Sequence, residues 1–390
     1  MITGNDEQSI PLWRDERFWR VALQIGVLVV VIAIASLLVH NVSVNLQRTG
    51  TEFGFGFLNT QAAFDIQESI IPYDPATDSY GRVLLAGFLN SLRVIIPGLI
   101  LTTLLGILAG VVSFSDNWLL RKGSLLYVEI IRNIPLLLQL YFWYRAVFSK
   151  LPNPDNRLAW FGSIYLSNRG VFLPWPAMNW QFGSSAIALL VLVIAVGWLW
   201  RWRTQLMVET GQSGQSQLLA LWALAAIALL LVVFGFGWQI PQETDSAVFD
   251  GGLRLSAEFS AILFGLVIYT SAYVSEIVRA GIQSVAKGQW EAARALGLKS
   301  GLTMRLVVFP QALRVIIPPL NSQYMNLAKN SSLAIAVGYV DIYSVANTTY
   351  NQAGRPVEVM LIIMVTYLIL DLMISAVMNT LNNLVQIRER

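Results

Sequence analysis

Eight long apolar segments, separated by shorter polar segments, run along the chain and predict membrane-spanning helices. A helix that crosses the hydrocarbon core of a bilayer needs about 20 mainly apolar residues. The segments that meet this length are residues 21–39, 83–112, 125–148, 185–202, 218–236, 259–280, 312–345 and 357–381. The pattern therefore predicts an all-α integral membrane protein with about eight transmembrane helices.

Prolines interrupt the seventh of these segments. Pro318 and Pro319 lie inside it, and Pro310 shortly precedes it. Proline lacks a backbone donor and kinks or breaks a helix. We therefore expect short helical pieces in this region, with the true span near residues 332–345.

The distribution of Lys and Arg predicts the orientation of the chain. Eight spans place both termini on one side, and that side carries 15 Lys and Arg residues against 7 on the other. Cytoplasmic loops carry the excess of these residues. We expect both termini and the loop 279–310 in the cytoplasm. The same asymmetry explains the net charge of +3 without a nucleic acid partner.

The composition excludes several kinds of chemistry. The chain has no cysteine and one histidine, His40, so thiol chemistry, zinc–thiolate sites and a catalytic triad are not expected. No G-x-x-x-x-G-K-[ST] segment occurs, so a phosphate-binding P-loop is absent. We expect no catalytic residue, no metal site and no bound cofactor in this chain.

A short amphipathic helix is predicted within the cytoplasmic loop 279–310, over residues 289–298. Trp290, Ala293 and Leu296 fall on one face at helical spacing. Gly297 suits the end of the helix because glycine readily takes a left-handed conformation. A short helix with a face of small residues is a docking element for another protein, and an ordinary surface loop is the alternative.

The same loop carries a spaced motif. Glu291-Ala292-Ala293 is followed after three residues by Gly297, and nine further residues precede a segment that ends at Pro310. This spacing resembles the pattern EAA–x3–G–x9–I–x–L–P, the signature loop of bacterial ABC importer permeases. Val and Phe replace the Ile and Leu of that pattern. The resemblance implies that these five residues couple the chain to a partner ATPase.

Further segments resemble the polar amino acid branch of these permeases, which includes histidine, glutamine and general L-amino acid importers. They are residues 90–93, 132–140, 272–291 and 309–314. The resemblance implies a type I importer fold whose core comprises residues 83–150 and 256–390. Residues 1–82 form a tail, a first helix and an external loop. Residues 151–255 form an insert with two extra spans, as in the larger subunits of general and neutral amino acid importers.

The resemblance also implies a multi-subunit machine in the bacterial inner membrane. An ATP-binding subunit would hold ATP and Mg, a second homologous permease would complete the pathway, and an external solute-binding protein would deliver an amino acid. The remaining contacts would be with membrane lipid. This chain would form part of the translocation pathway.

Ionisable side chains within spans are candidates for function because each is costly to insert, at about 2.5–3.5 kcal/mol. Glu276 shares a helix face with Tyr269 and Tyr273, at spacings of three and four residues. This face could receive the ammonium group of an amino acid, or Glu276 could pair with Arg279.

Three polar residues, Asn90, Ser91 and Ser331, are weaker candidates for lining the substrate pathway. An ion pair is expected between Glu129 and Arg132, which lie three residues apart. Asp371 is expected to face the helix bundle or the second permease.

Two other functions compete with the importer. An ion-coupled secondary amino acid transporter would explain the spans and buried carboxylates, but not the spaced Glu-Ala-Ala–Gly loop. A membrane-embedded enzyme lacks support because no catalytic cluster of His, Cys or carboxylates has suitable spacing. The cargo is left open among broad amino acid uptake, neutral amino acids and an opine-like solute.

Overall fold

The computed structural model describes residues 16–48, 53–211, 213–244 and 248–385. Within them the α-helices are α1 Glu16–Arg48, α2 Tyr80–Val112, α3 Trp118–Asn133, α4 Leu136–Phe142, α5 Trp180–Thr210, α6 Gln215–Leu230, α7 Ala257–Gln283, α8 Lys287–Ala295, α9 Ser300–Thr303, α10 Phe309–Asn330, α11 Ile342–Ala353 and α12 Pro356–Val385. Three of the basic residues used to predict orientation, Arg14, Arg388 and Arg390, lie outside the described residues.

The described residues contain seven helices that are long and apolar enough to cross a membrane, and a bent pair that makes an eighth. The prediction of about eight transmembrane helices is confirmed. The cytoplasmic position of the termini and the limits of the four predicted regions remain predictions.

The third predicted span is bent, which corrects the expectation of one straight segment over residues 125–148. Helix α3 and the segment that begins with α4 meet at 104°. Ile134 is extended between them, with φ −104° and ψ 127°. The cause is Pro135, because the residue before a proline is driven out of the helical region.

The seventh span also differs from its prediction. Helix α10 is continuous through Pro318 and Pro319, and a 3-10 helix, Ser331–Val337, follows it. The candidate span is Ser300–Val337. Most of it therefore precedes residues 332–345, which the sequence had predicted as the span. Both prolines are on an exposed face of the helix, and transmembrane helices tolerate proline where their surroundings satisfy the freed carbonyl groups.

The centre of the bundle is α7, which packs along α2 and α10. Gly106 and Gly110 of α2 lie against Val274 and Val278 of α7. A Cβ atom added at these glycines would come within 2.5 and 2.7 Å of the valine side chains. Small residues four apart let two membrane helices approach this closely, so the spacing fixes α2 against α7.

The insert contains short strands as well as α5 and α6. The strands are β1 Leu158–Trp160, β2 Ile164–Ser167, β3 Gly170–Leu173, β4 Trp175–Pro176, β5 Trp238–Gln239, β6 Gln242–Thr244, β7 Val248–Asp250 and β8 Leu253–Leu255. One antiparallel sheet has the order β1-β2-β3-β8, and β4 pairs with β5 and β6 with β7. The expectation of an all-α chain missed these strands, although the protein is mostly helical.

Candidate functional site

The loop between the sixth and seventh spans contains a short helix, as the sequence predicts. Helix α8 spans Lys287–Ala295, so it begins two residues before the predicted start at residue 289. The turn that terminates it contains Gly297, whose φ is +72°. The N–H of Leu298 donates to the carbonyl of Ala293 (3.1 Å), and the N–H of Gly297 donates to that of Arg294 (2.9 Å). This pair of bonds is the Schellman motif, which requires a left-handed residue at the position of Gly297.

One side of α8 is fixed to the bundle. Ala293 is 2% exposed, and Trp290 packs against a buried cluster that includes Val308 and Ala312. The amide nitrogen of Gln311 also donates to the side-chain oxygen of Gln289 (3.2 Å). The helix therefore cannot move independently of the start of α10.

The opposite side of α8 is available to another protein. Glu291 and Ala292 are exposed, and Leu296 is 80% exposed. The helical spacing placed Leu296 on one face with Trp290 and Ala293, but in the structure Trp290 and Ala293 pack against the bundle and Leu296 does not. Leu296 follows the last residue of the helix as its C-cap, and its apolar side chain lies on the outer surface.

A π-helix, Met304–Val308, connects the loop to α10. Pro310 lies in the first turn of α10, where the missing backbone donor of proline is not needed. The five motif residues thus belong to one connected unit. Glu291, Ala292 and Ala293 lie on α8, Gly297 lies in the turn that terminates it, and Pro310 lies at the start of α10.

A polar cavity of about 500 Å³ lies between α3 and α7. We call it the α3–α7 cavity; its lining residues are Leu125, Val128, Glu129, Arg132, Asn133, Tyr273, Glu276 and Arg279. Two carboxylates and two guanidinium groups thus face one space. The sequence predicted a functional role for Glu276 and Tyr273 but not the cavity that they share with α3.

Glu276 is the centre of an ion-pair network in this cavity. Its carboxylate accepts a hydrogen bond from Arg279 (2.5 Å) and lies 3.7 Å from Arg132. The expected pairing of Glu129 with Arg132 is wrong, because α7 brings Glu276 within reach of Arg132. This contact joins residues 144 positions apart, and spacing along one helix could not predict it.

The two tyrosines are placed as the helical spacing predicts. The hydroxyl groups of Tyr269 and Tyr273 are 3.1 Å apart, and the guanidinium of Arg132 lies 5.0 Å from the centre of the Tyr273 ring. Tyr273 therefore stabilises the position of Arg132 by a cation–π contact. Tyr269 extends the same face beyond the cavity lining.

Asn90 has buried structural contacts. Its side-chain amide donates to the carbonyls of Glu68 and Val340, each at 2.8 Å, and Tyr339 donates to the Asn90 carbonyl at 3.1 Å. The residue is 0% exposed. These bonds tie the loop before α2 to the segment before α11. Its proposed place in a substrate pathway remains untested.

Ser91 and Ser331 are also buried. The hydroxyl of Ser91 accepts from the N–H of Ile342 (3.0 Å), and that of Ser331 donates to the carbonyl of Ala328 (2.7 Å). Each bond satisfies a backbone group at a helix end. Their role along a pathway likewise stays a prediction.

Two further ion pairs involve side chains of the spans. Lys329 pairs with Asp371 at 2.8 Å, so Asp371 faces the bundle as expected. On the other side, Arg93 pairs with Glu68 at 3.2 Å and lies 4.6 Å from the centre of the Phe259 ring. The sequence placed Arg93 within a span but carried no signal for its partner, which lies in the loop before α2.

Asp341 lies between the seventh and eighth spans and caps α11. Its carboxylate accepts a hydrogen bond from the N–H of Ser344 (2.8 Å), and its other oxygen has no partner among the described residues. Burial raises the pKa of Asp341 to about 7, against the opposing effect of hydrogen bonds from backbone N–H groups. Near neutral pH this carboxyl group therefore changes its charge.

Within the described residues, no three His, Cys, Asp or Glu side chains come together to hold a metal ion. The geometry instead supports two functional elements. Helix α8 can contact another protein, and the α3–α7 cavity can hold a small charged molecule.

Comparisons with known proteins identify the family. Residues 218–388 match the binding-protein-dependent transport system inner membrane component family. The protein is 40% identical to the general L-amino acid transport system permease protein AapQ of Rhizobium johnstonii, over 96% of this chain and 94% of the relative. It is also 40% identical to the glutamate/glutamine/aspartate/asparagine transport system permease protein BztB of Rhodobacter capsulatus, over 96% of both chains.

A third relative is YhdX of Escherichia coli strain K12, whose name assigns it provisionally as an amino-acid ABC transporter permease protein. It is 43% identical over 94% of each chain. These alignments run through the insert as well as the core, so the resemblance seen in the signature loop extends to the whole architecture. The chain therefore belongs to the permease subunits of amino acid ABC transporters, which are multi-pass proteins of the bacterial inner membrane.

Proposed function

We propose that this permease receives mechanical work from a separate ATP-binding subunit through α8, which docks in a cleft of that subunit. The observation that carries the proposal is the two-sided character of α8. Ala293 fixes the helix to the bundle, while Glu291, Ala292 and Leu296 are exposed on its free surface. Pro310 and Gly297 define the two ends of the connected unit.

The remaining subunits follow from the family and from surfaces left uncovered. A second homologous permease would cover charged surface within the membrane, and an external solute-binding protein would deliver the substrate. ATP and Mg would bind to the ATPase subunit, and this chain would contribute no cofactor and no catalytic residue. The relative named for glutamate, glutamine, aspartate and asparagine supports polar amino acids as the cargo.

Cysteine labelling tests both the docking surface and the orientation, because the chain has no native cysteine. Ala292→Cys on α8 and Ala76→Cys in the first external loop both alter exposed residues. A thiol reagent that cannot cross membranes should label Ala76→Cys in intact cells and Ala292→Cys only after permeabilisation.

In the assembled transporter, the ATPase subunit should protect Ala292→Cys from labelling and form a cross-link to it. It should leave Ala76→Cys unaffected. Labelling of Ala292→Cys from outside intact cells would refute the docking proposal, and so would equal labelling with and without the ATPase subunit.

We further propose that the face of Tyr269, Tyr273 and Glu276 belongs to the substrate pathway. Glu276→Gln keeps the size of the side chain but removes the charge that holds Arg132 and Arg279. Amino acid uptake by the reconstituted transporter should fall several-fold, while basal ATPase activity should change less. Unchanged uptake would remove this face from the pathway.

A further inference from the structure

The α3–α7 cavity contains more positive charge than its one paired carboxylate can use. Arg132 and Arg279 both contact Glu276, and each guanidinium carries five N–H donors. The Nε of Arg279 is buried and has no hydrogen-bond partner among the described residues. That nitrogen is out of reach of a ligand, but the side chains of Arg132 and Arg279 are 41% and 32% exposed, so their outer N–H donors have capacity for a second carboxylate.

The cavity also contains a free negative charge. Glu129 lines the cavity, and its carboxylate makes no ion pair with any residue that the structure describes. The lining therefore combines guanidinium donors that are open to the cavity with a carboxylate that has no ion-pair partner among the described residues. A ligand that carries a carboxylate and an ammonium group would complement both.

This charged face lies at membrane depth. The middle of α7 is near Thr270, so Glu276 is about 9 Å from it at 1.5 Å per residue. The hydrocarbon core extends about 15 Å from the bilayer centre, which places Glu276 inside it. Charged side chains at that depth face a water-filled space or a partner chain, and the proposal below assigns this cavity to the water-filled pathway.

We propose that the α3–α7 cavity binds the main-chain carboxylate and ammonium groups of an amino acid. Arg132 and Arg279 bind the carboxylate, Glu129 binds the ammonium, and Glu276 holds the two arginines in place. This assignment differs from the sequence-based expectation that Glu276 itself receives the ammonium group. A volume of about 500 Å³ is within the usual range for small-molecule sites, roughly 300–1,000 Å³.

Because amino acids share these two groups, the cavity would recognise amino acids as a class and would not discriminate between their side chains. The inference rests on the proposed function as an amino acid importer. It is tested by binding alone, so a failure here would leave the docking of α8 standing.

The test uses the membrane complex that copurifies with this chain, in lipid nanodiscs and without the external solute-binding protein. Binding of radiolabelled L-glutamine is measured in competition with two analogues. Glutaramate keeps the carboxylate but lacks the ammonium group, and 4-aminobutanamide keeps the ammonium group but lacks the carboxylate. Wild-type complex should bind L-glutamine at least tenfold more tightly than either analogue.

Two variants should then give opposite patterns. In Arg132→Gln, affinity for L-glutamine should fall about tenfold and its advantage over 4-aminobutanamide should disappear, while its advantage over glutaramate remains. In Glu129→Gln, the advantage over glutaramate should disappear and that over 4-aminobutanamide should remain. Arg145→Gln is the matched control, since Arg145 lies outside the cavity against Tyr141 and Tyr144.

A purely structural ion pair would not produce this crossed pattern. Equal changes in both analogue ratios would overturn the proposal, as would wild-type binding that does not distinguish L-glutamine from its analogues. Should Arg132→Gln fail to assemble, Arg132→Lys keeps the charge without the planar fork of donors. It should give a smaller loss in the same direction, and an unchanged preference for the carboxylate would contradict the proposal.

Discussion

Gly297 offers the sharpest test of coupling through α8, because its substitution changes the backbone alone. Its φ is +72°, and a Cβ atom added there would meet no other atom within 4 Å. Gly297→Ala therefore introduces no clash. The penalty is the left-handed conformation itself, about 1–2 kcal/mol for a residue with a Cβ atom.

That penalty is large for a helix as short as α8. It spans Lys287–Ala295, nine residues, and isolated helices of this length are not stable in water. A loss of 1–2 kcal/mol reduces the population of the ordered turn about 5- to 30-fold. We expect Gly297→Asn to have the smallest effect because Asn tolerates this conformation. Gly297→Ala should be intermediate, and Gly297→Val should have the largest effect.

The assay measures amino acid transported per ATP hydrolysed by the reconstituted complex, together with hydrogen exchange of the Leu298 amide. From Asn to Ala to Val, the amino acid transported per ATP should fall and the exchange rate of the Leu298 amide should rise. The amount of inserted protein should stay constant. Gly301→Ala is the matched control, since Gly301 also has open space around it but no positive φ. Equal effects at Gly301 and Gly297, or equal effects of Asn and Val at Gly297, would refute the reasoning.

Two further predictions concern stability. Gly110→Ala should destabilise the solubilised protein by about 1–3 kcal/mol through overpacking, because the added methyl would lie 2.7 Å from Val278. The control is Gly123→Ala, which lies in open space on α3 and should not lower the melting temperature. Asp341→Asn should raise the melting temperature relative to wild type by much more at pH 8 than at pH 5. The pKa of Asp341 is about 7 in the native protein and 3.8 in its ordinary state, so ionisation costs the native state stability progressively between about pH 4 and 7.

The outcomes that contradict these two predictions are distinct. Close packing of α2 on α7 is refuted if Gly110→Ala and Gly123→Ala melt at the same temperature. The electrostatic account of Asp341 is refuted if the difference between Asp341→Asn and wild type is the same at both pH values. Asn can still cap α11, so loss of the cap does not confuse the comparison.

The sequence predicted the elements that local rules govern. Apolar length located the membrane spans, and the motif located α8 together with the glycine that ends it. Glycine at position 297 signals a left-handed turn because no other residue takes that conformation as readily. The family resemblance added the identity of the subunit and its expected partners.

The features that sequence could not predict depend on contacts between distant segments. Arg132 binds Glu276 and not the nearby Glu129, because α3 packs against α7 at that level. The polarity of Asn90 suggested a place in a pathway, and nothing in the sequence indicated that its amide joins the loop before α2 to the segment before α11. The span 309–330 was misplaced because proline was weighed as a helix breaker without the bundle that accommodates it.

The short connection between α7 and α8 links the two functional elements. Only Ser284, Val285 and Ala286 separate α7 from α8. Val285 is buried in one cluster with Ile282 of α7, and Trp290 of α8 packs against that cluster. Arg279 lies four residues before the end of α7, about 6 Å along its axis. If α8 docks on the ATPase subunit and the α3–α7 cavity binds the solute, as proposed, a displacement applied to α8 would be passed to Arg279 across this short connection. The strength of solute binding and the stage of the ATP cycle would then both depend on the position of a single helix.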